Sequence, residues 1–186
     1  APKSYGKFLR DKFDFHKDFG FDVAPDDLSP ILLPHQRDIV RWAIKGGRRA
    51  IFASFGLGKS VIQLEILRLI HKREGGRCLI VCPLGVKQEF KRDARDLLGM
   101  EVTFVRWSAQ VEEMGPGIYI PNYESIRDGR LDPALFDPAS LDDAALLRSS
   151  GSTTYPTFLG CLAPTKFLLL APPPPSPNPF IALGTL

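Results

Sequence analysis

Short apolar runs and longer amphipathic stretches take turns along most of this chain. Residues 50–54, 78–82, 102–107, 118–120 and 167–171 are continuously apolar or nearly so, as strands buried on both faces are. Between them lie helical patterns. Ile39, Val40, Trp42 and Ala43 offer one stripe in a segment opened by Pro34 and stopped by Gly46-Gly47. Residues 60–73 carry apolar side chains at Val61, Ile62, Leu64, Ile66, Leu67, Leu69 and Ile70, then close on Lys72-Arg73 before Gly75-Gly76. A basic last turn followed by glycine suits a helix C-terminus, through the dipole and the cap. A third helix is expected over 86–98, ending at Gly99, while Pro83 and Pro121 stop the second and fourth apolar runs. This alternation predicts an α/β domain, a mainly parallel sheet covered by helices on both faces. Ligands of such sheets sit at the carboxyl ends of the strands. Residues 138–141 read as a poor strand. Residues 4–22 mix six aromatics with Lys and Asp without periodicity, and read as a segment wrapped on the core.

Composition adds bounds. The 186 residues suit one domain of roughly 150 residues with an appendage, and exclude a complete machine of two such domains. Apolar content of 44% and charged content of 24% are ordinary for a globular chain. No apolar run approaches the ~18 residues of a membrane span, and no signal-peptide core opens the chain. Residues 1–130 carry 22 Lys and Arg against 17 Asp and Glu, whereas residues 131–186 carry 2 against 4 together with 10 of the 17 prolines. The chain therefore changes character near residue 131. Cys78 and Cys82 have no His or second Cys pair beside them and read as buried thiols; three cysteines suit a reducing interior.

The densest chemistry is Ala53-Ser54-Phe55-Gly56-Leu57-Gly58-Lys59-Ser60, set between an apolar run and a helical pattern. It matches the phosphate-loop pattern with Ala at the first Gly. Gly56 and Gly58 allow the backbone to curl so that successive N–H groups converge on phosphate oxygens, aided by the helix N-terminus. Lys59 would bridge the terminal phosphates and Ser60 would hold a magnesium ion.

Around that loop, further segments resemble one family. Leu33-Pro34-His35-Gln36-Arg37, with Lys59 following the glutamine by 23 residues, resembles the glutamine motif and motif I of superfamily-two helicases, of the Snf-type, DEAD/DEAH-like kind found in phages and prophages. Ile80-Val81-Cys82-Pro83-Leu84-Gly85-Val86 resembles motif Ia, and Ile118-Tyr119-Ile120-Pro121-Asn122-Tyr123-Glu124 resembles motif Ib. The resemblance implies a three-layer RecA-like P-loop NTPase lobe over 31–186, a packed N-terminal extension over 1–30, and no second lobe. It implies ATP and magnesium as cofactors, with Gln36 at the adenine edge. Pro83, Leu84, Lys87, Asn122 and Tyr123 would meet a nucleic-acid backbone, DNA rather than RNA. Lys91, Arg92 and Arg95 either add phosphate contacts or form a solvated face; Arg48 and Arg49 read as solvated. A partner lobe in cis or trans, no membrane, and a bacterial or phage-infected cytoplasm complete the expectation.

Two places depart from the family. Motif II is expected as Asp-Glu after an apolar strand; here it falls on Leu141-Asp142-Asp143. Asp142 would support magnesium. Asp143 stands where a glutamate would orient the attacking water, one methylene shorter, and general-base geometry tolerates little loss of reach. In motif III the hydroxyl-bearing element after the strand is replaced by Pro172-Pro173-Pro174-Pro175, although Ser176-Pro177-Asn178 follows as in the family. Proline cannot donate from its backbone. Two explanations compete, a relative that no longer hydrolyses or a mis-assigned last quarter; an intact mass other than 20.7 kDa would show the second. The expected function is thus the ATP-binding lobe of a helicase or translocase, weak alone. The alternative is a non-hydrolysing nucleic-acid or interaction module on the same fold. An unrelated phosphate-loop kinase would leave Gln36 and the Asn122-Tyr123-Glu124 segment unexplained.

Overall fold

Six short strands share one sheet in the computed structural model, which describes residues 18–52, 56–142, 160, 162 and 164–171. They are β1 (Arg48–Ala50), β2 (Arg77–Val81), β3 (Thr103–Val105), β4 (Gly117–Pro121), β5 (Ala139–Asp142) and β6 (Leu168–Ala171). Their order is β1-β6-β5-β2-β4-β3, and every neighbouring pair is parallel. The helices are α1 (Pro34–Gly46), α2 (Lys59–Glu74), α3 (Lys87–Leu98), α4 (Ser108–Met114) and α5 (Tyr123–Arg127).

Strand periodicity divides the core. On β2, Cys78 and Ile80 face Leu64 and Leu67 of α2 and Phe90 and Ala94 of α3. Leu79 and Val81 point the other way, toward Val111 of α4, Ile126 of α5, and Leu131 and Phe136. Val40 and Ile44 of α1 extend the first face with Ile62, Ile66 and Leu69, over Ile51 and Leu169. Helices thus cover both faces in three layers, as the alternation predicts. Helix α2 is buried nearly all round, because α1 and α3 flank it above the sheet.

The segment before α1 is fastened to this core. Val23, Leu28 and Leu32 are buried in it. Glu65 of α2, wholly buried, accepts from Ser29 N at 2.8 Å and from Arg68 Nε at 2.7 Å and Nη2 at 2.8 Å. The same Arg68 nitrogen donates to Asp27 O at 2.9 Å, so the fork ties the segment to the helix.

Three expectations change. The first strand is Arg48–Ala50 rather than 50–54, with Ile51 N adding a bond to Leu170 O at 2.8 Å. Two arginines can open it because their charges find partners off the sheet. Arg48 donates to the carbonyls of Leu162 and Thr165, while Arg49 pairs with Asp18 at 3.1 Å and lies 5.1 Å from the Trp42 ring centre. Trp42 itself stays half exposed; the buried stripe of α1 is Gln36, Val40, Ala43 and Ile44. Residues 139–142, poor as a strand in sequence, form β5 in the middle of the sheet. Small Ala139 and Ser140 suit the tight site, and the Ser140 hydroxyl has a buried partner in Gln63.

Cys78 and Cys82 are free, buried thiols. Burial pushes both from 9.0 up to about 12, with Asp137 adding to it at Cys78 and Asp142 at Cys82. The neutral thiols are favoured in the folded state. Their stabilisation is therefore complete below about pH 9 and lost as pH rises toward 12. At pH 8, brief iodoacetamide treatment is expected to leave both unmodified until denaturant is added, as counted by intact mass; native alkylation at either would contradict the burial.

Candidate nucleotide and nucleic-acid site

A parallel sheet gathers the carboxyl ends of its strands along one edge, and here that edge collects most of the described sequence-predicted residues. From β1 the chain passes to Gly56-Leu57-Gly58 and straight into α2, whose first residues are Lys59 and Ser60. Gly56 and Gly58 have φ of 81° and 72°, a left-handed backbone that side chains resist by roughly 1–2 kcal/mol. A Cβ at Gly58 would also lie 2.4 Å from Gln36 Nε2, whereas at Gly56 it would meet nothing within 4 Å. Ala53, Ser54, Phe55 and Asp143 lie outside the described residues, as do Pro172 to Pro175.

Gln36, on the first turn of α1, is buried against the loop. Its Oε1 accepts from Leu33 N at 2.9 Å, and its Nε2 donates to Leu57 O at 3.2 Å. One amide therefore closes the helix start and holds the glycine loop from beneath. An amide has one hydrogen and one lone pair left after these bonds.

Asp142 stands at the tip of β5. Gln63 Nε2 donates to its Oδ1 at 2.9 Å, and Ser140 Oγ donates to Gln63 Oε1 at 2.6 Å. Gln63 and Ser140 are fully buried, so this chain of hydrogen bonds fixes the carboxylate's direction. Gln63 follows Ser60 by three residues and thus shares its helix face. The hydroxyl of Ser60 and the carboxylate of Asp142 are hard oxygen donors of the kind magnesium takes. Sequence reasoning passed over Gln63 and Ser140. In sequence Gln63 stands out only as one of three polar residues, with Glu65 and Arg68, in the largely apolar run 61–70, and nothing there ties it to Ser140 or Asp142.

Further along the same edge, β2 runs out through Cys82 and Pro83 to Leu84 and into α3, and β4 runs out to Asn122. Lys87, nearly buried at the start of α3, donates from Nζ to Asn122 Oδ1. Burial lowers the Lys87 pKa, Arg106 lowers it further, and Cys82 and Glu124 act against them. The segments that follow β2 and β4 therefore meet in one hydrogen bond. Tyr123 opens α5, and its side chain is outside the described set. Leu84, Lys87 and Asn122 line a cavity of about 500 Å³ together with Phe104, Arg106 and Trp107. Of the basic run on α3, Lys91 reaches toward Phe104, while Arg92 and Arg95 pair with Asp93 and Asp96 on the solvated face.

No protein-family model matches this chain, and no curated protein does. Solved structures do. The UvsW helicase from bacteriophage T4 superposes with a TM-score of 0.60 at 13% identity, over 91% of this chain and 61% of that one. The Sulfolobus solfataricus SWI2/SNF2 ATPase core, solved in complex with double-stranded DNA, gives 0.65 at 17% identity, over 81% and 33%. The Pyrococcus furiosus Hef helicase domain gives 0.58 at 18% identity, over 77% and 32%. This chain spans about 61% of the first and a third of the others. At these identities the likeness is one of fold: a RecA-like α/β domain on a six-stranded parallel sheet, shared with these helicase and ATPase structures.

Proposed function

We propose that the chain is the ATP-binding lobe of a superfamily-two helicase or translocase that acts on DNA, in the cytoplasm, with a second lobe in cis or trans. The observation that carries this reading is the hydrogen bond from Gln63 to Asp142, which sets an acidic strand tip beside the helix that begins at Gly58-Lys59-Ser60. The backbone N–H groups of that loop and the Lys59 ammonium would bind the terminal phosphates, and Ser60 and Asp142 would hold magnesium. When bound, magnesium neutralises phosphate charge. Gln63 keeps Asp142 aimed, and Gln36 steadies the loop while its remaining donor and acceptor are available to a base. The Sulfolobus neighbour's double-stranded DNA supports nucleic acid as the partner. No helix among the described residues is long and apolar enough to cross a membrane.

Hydrolysis by this chain alone is expected to be slow. Asp143 offers a shorter reach than glutamate, the prolines at 172–174 remove hydroxyls, and the family's arginine fingers come from the other lobe. The test is a titration of a fluorescent ATP analogue with magnesium, alongside turnover with and without DNA. Lys59→Ala is expected to abolish saturable binding; unchanged binding would remove the site. A robust DNA-stimulated rate from the chain alone would contradict the need for a partner lobe. DNA binding with a steep salt slope and no nucleotide binding would favour the non-hydrolysing module instead.

A further inference from the structure

The cavity beyond Lys87 and Asn122 is larger than contacts to a phosphate backbone require, and its chemistry is mixed in a specific way. Two large rings are exposed on it, Phe104 at 36% and Trp107 at 47% of their surface. Cations lie against both: Lys91 Nζ is 5.2 Å and Lys87 Nζ 5.8 Å from the Phe104 centre, and the Arg130 guanidinium is 5.2 Å from that of Trp107. Arg106 lines the cavity too, and none of the described lining residues is acidic; Arg130, behind Trp107, pairs with Asp128 at 3.0 Å. Gln88, Gln110 and Asn122 add amides that both donate and accept.

The rings are held in place. Phe104 is the middle residue of β3, in register with Ile120 of β4. Trp107 caps α4, and Gln110 Oε1 accepts from Trp107 N at 3.2 Å and Arg106 N at 2.9 Å. Ser108 N donates to Arg130 O at 3.0 Å, and Ser108 Oγ accepts from Asp132 N at 2.9 Å, so the loop bearing Arg130 is fastened to the same turn. Folding does not bury these rings, yet the surrounding hydrogen bonds fix where they stand.

We infer that this groove binds a single-stranded segment of nucleic acid, with unpaired bases stacked on Phe104 and Trp107 and phosphates on Lys87, Lys91 and Arg106. The argument is complementarity. An acid-free cationic groove selects a polyanion, and exposed rings select one that can present flat π-faces. A duplex hides its base faces in its own stack and would meet only the cations. The inference rests on the proposed nucleic-acid function and narrows it to the unpaired strand, which suits strand separation over tracking of intact duplex.

Trp107 supplies its own probe. The chain has two tryptophans, so a Trp42→Phe background leaves Trp107 as the sole emitter. An end-labelled oligothymidylate, a duplex of equal length and a polyglutamate peptide are each titrated, reading label anisotropy (light scattering for the unlabelled peptide) and Trp107 fluorescence together. Single-strand binding with quenching of Trp107, and duplex binding without it, is the expected result. In the Trp107-containing protein, Phe104→Ala and Trp107→Ala should each weaken single-strand binding roughly five- to hundredfold. Duplex affinity should stay within about twofold, and Trp107→Phe should recover most of the loss. DNA binding without quenching, or equal losses for both DNA forms, overturns the stacking inference and leaves the nucleic-acid reading standing. Binding of the peptide alone, or of nothing, overturns both.

Discussion

Replacing Glu65 with alanine is expected to lower the unfolding free energy by about 3 kcal/mol, the lower end of the range for breaking a buried ion pair. The lower end applies because the partner, Arg68, keeps 24% of its side chain exposed while Glu65 keeps none. Water can reach part of the guanidinium once the carboxylate is gone. Ser29 N loses its acceptor as well. A domain of this size has about 5–15 kcal/mol in total, so the variant should lie near the limit of folding. Glu65→Gln keeps an acceptor for Ser29 and should lose less. Urea unfolding monitored by circular dichroism measures both, with the slope unchanged and the midpoint lowered. A loss below about 1 kcal/mol for the alanine variant would mean that the fork does not fasten the segment before α1.

Gly58→Ala is expected to weaken nucleotide binding at least about tenfold and to lower folding stability by about 1–2 kcal/mol. Two separate costs act on it. The left-handed backbone at φ 72° resists a side chain by roughly 1–2 kcal/mol, and about 1.4 kcal/mol is a tenfold change in affinity. The added methyl would also fall 2.4 Å from Gln36 Nε2, displacing the amide that holds Leu57. A double-mutant cycle separates them, because Gln36→Ala removes the collision and leaves the backbone cost. The double variant should therefore bind less badly than the sum of its parts predicts. Additive losses would show that loop and amide act independently, and wild-type binding by Gly58→Ala would show that the loop does not need glycine at 58.

Much of the fold could be read from residue order because apolar runs and amphipathic stretches alternate with glycine and proline between them. What escaped had local physical causes. Strand β5 follows Pro138 and opens on Ala139-Ser140, weak in strand propensity, and exists because β2 and β6 clamp it from both sides and Gln63 satisfies its serine. Strand β1 opens on two arginines whose partners, Thr165, Leu162 and Asp18, are remote in sequence. At the site, the loop and its helix were legible as a motif. The residues that aim Asp142 were not, since a buried glutamine and serine matter only once their separation across 77 residues is closed. Phe104 and Trp107 were absorbed into an expected strand over 102–107; edge position and the cap of α4 leave them on the surface instead.

The adjacency of β5 and β2 has a consequence for communication. Leu141 is in register with Val81, so the strand ending on Asp142 and the strand leading to Lys87 are nearest neighbours, about 4.8 Å apart. The Cys82 thiol feels both: burial raises its pKa most, Asp142 raises it further and Lys87 lowers it. The strand tip that carries Asp142 and the strand that leads to Lys87 are thus joined by direct pairing rather than by a mobile linker. Paired strands share backbone hydrogen bonds, so a displacement of the Asp142 tip is expected to be felt at the end of β2, where Cys82 is the adjoining residue.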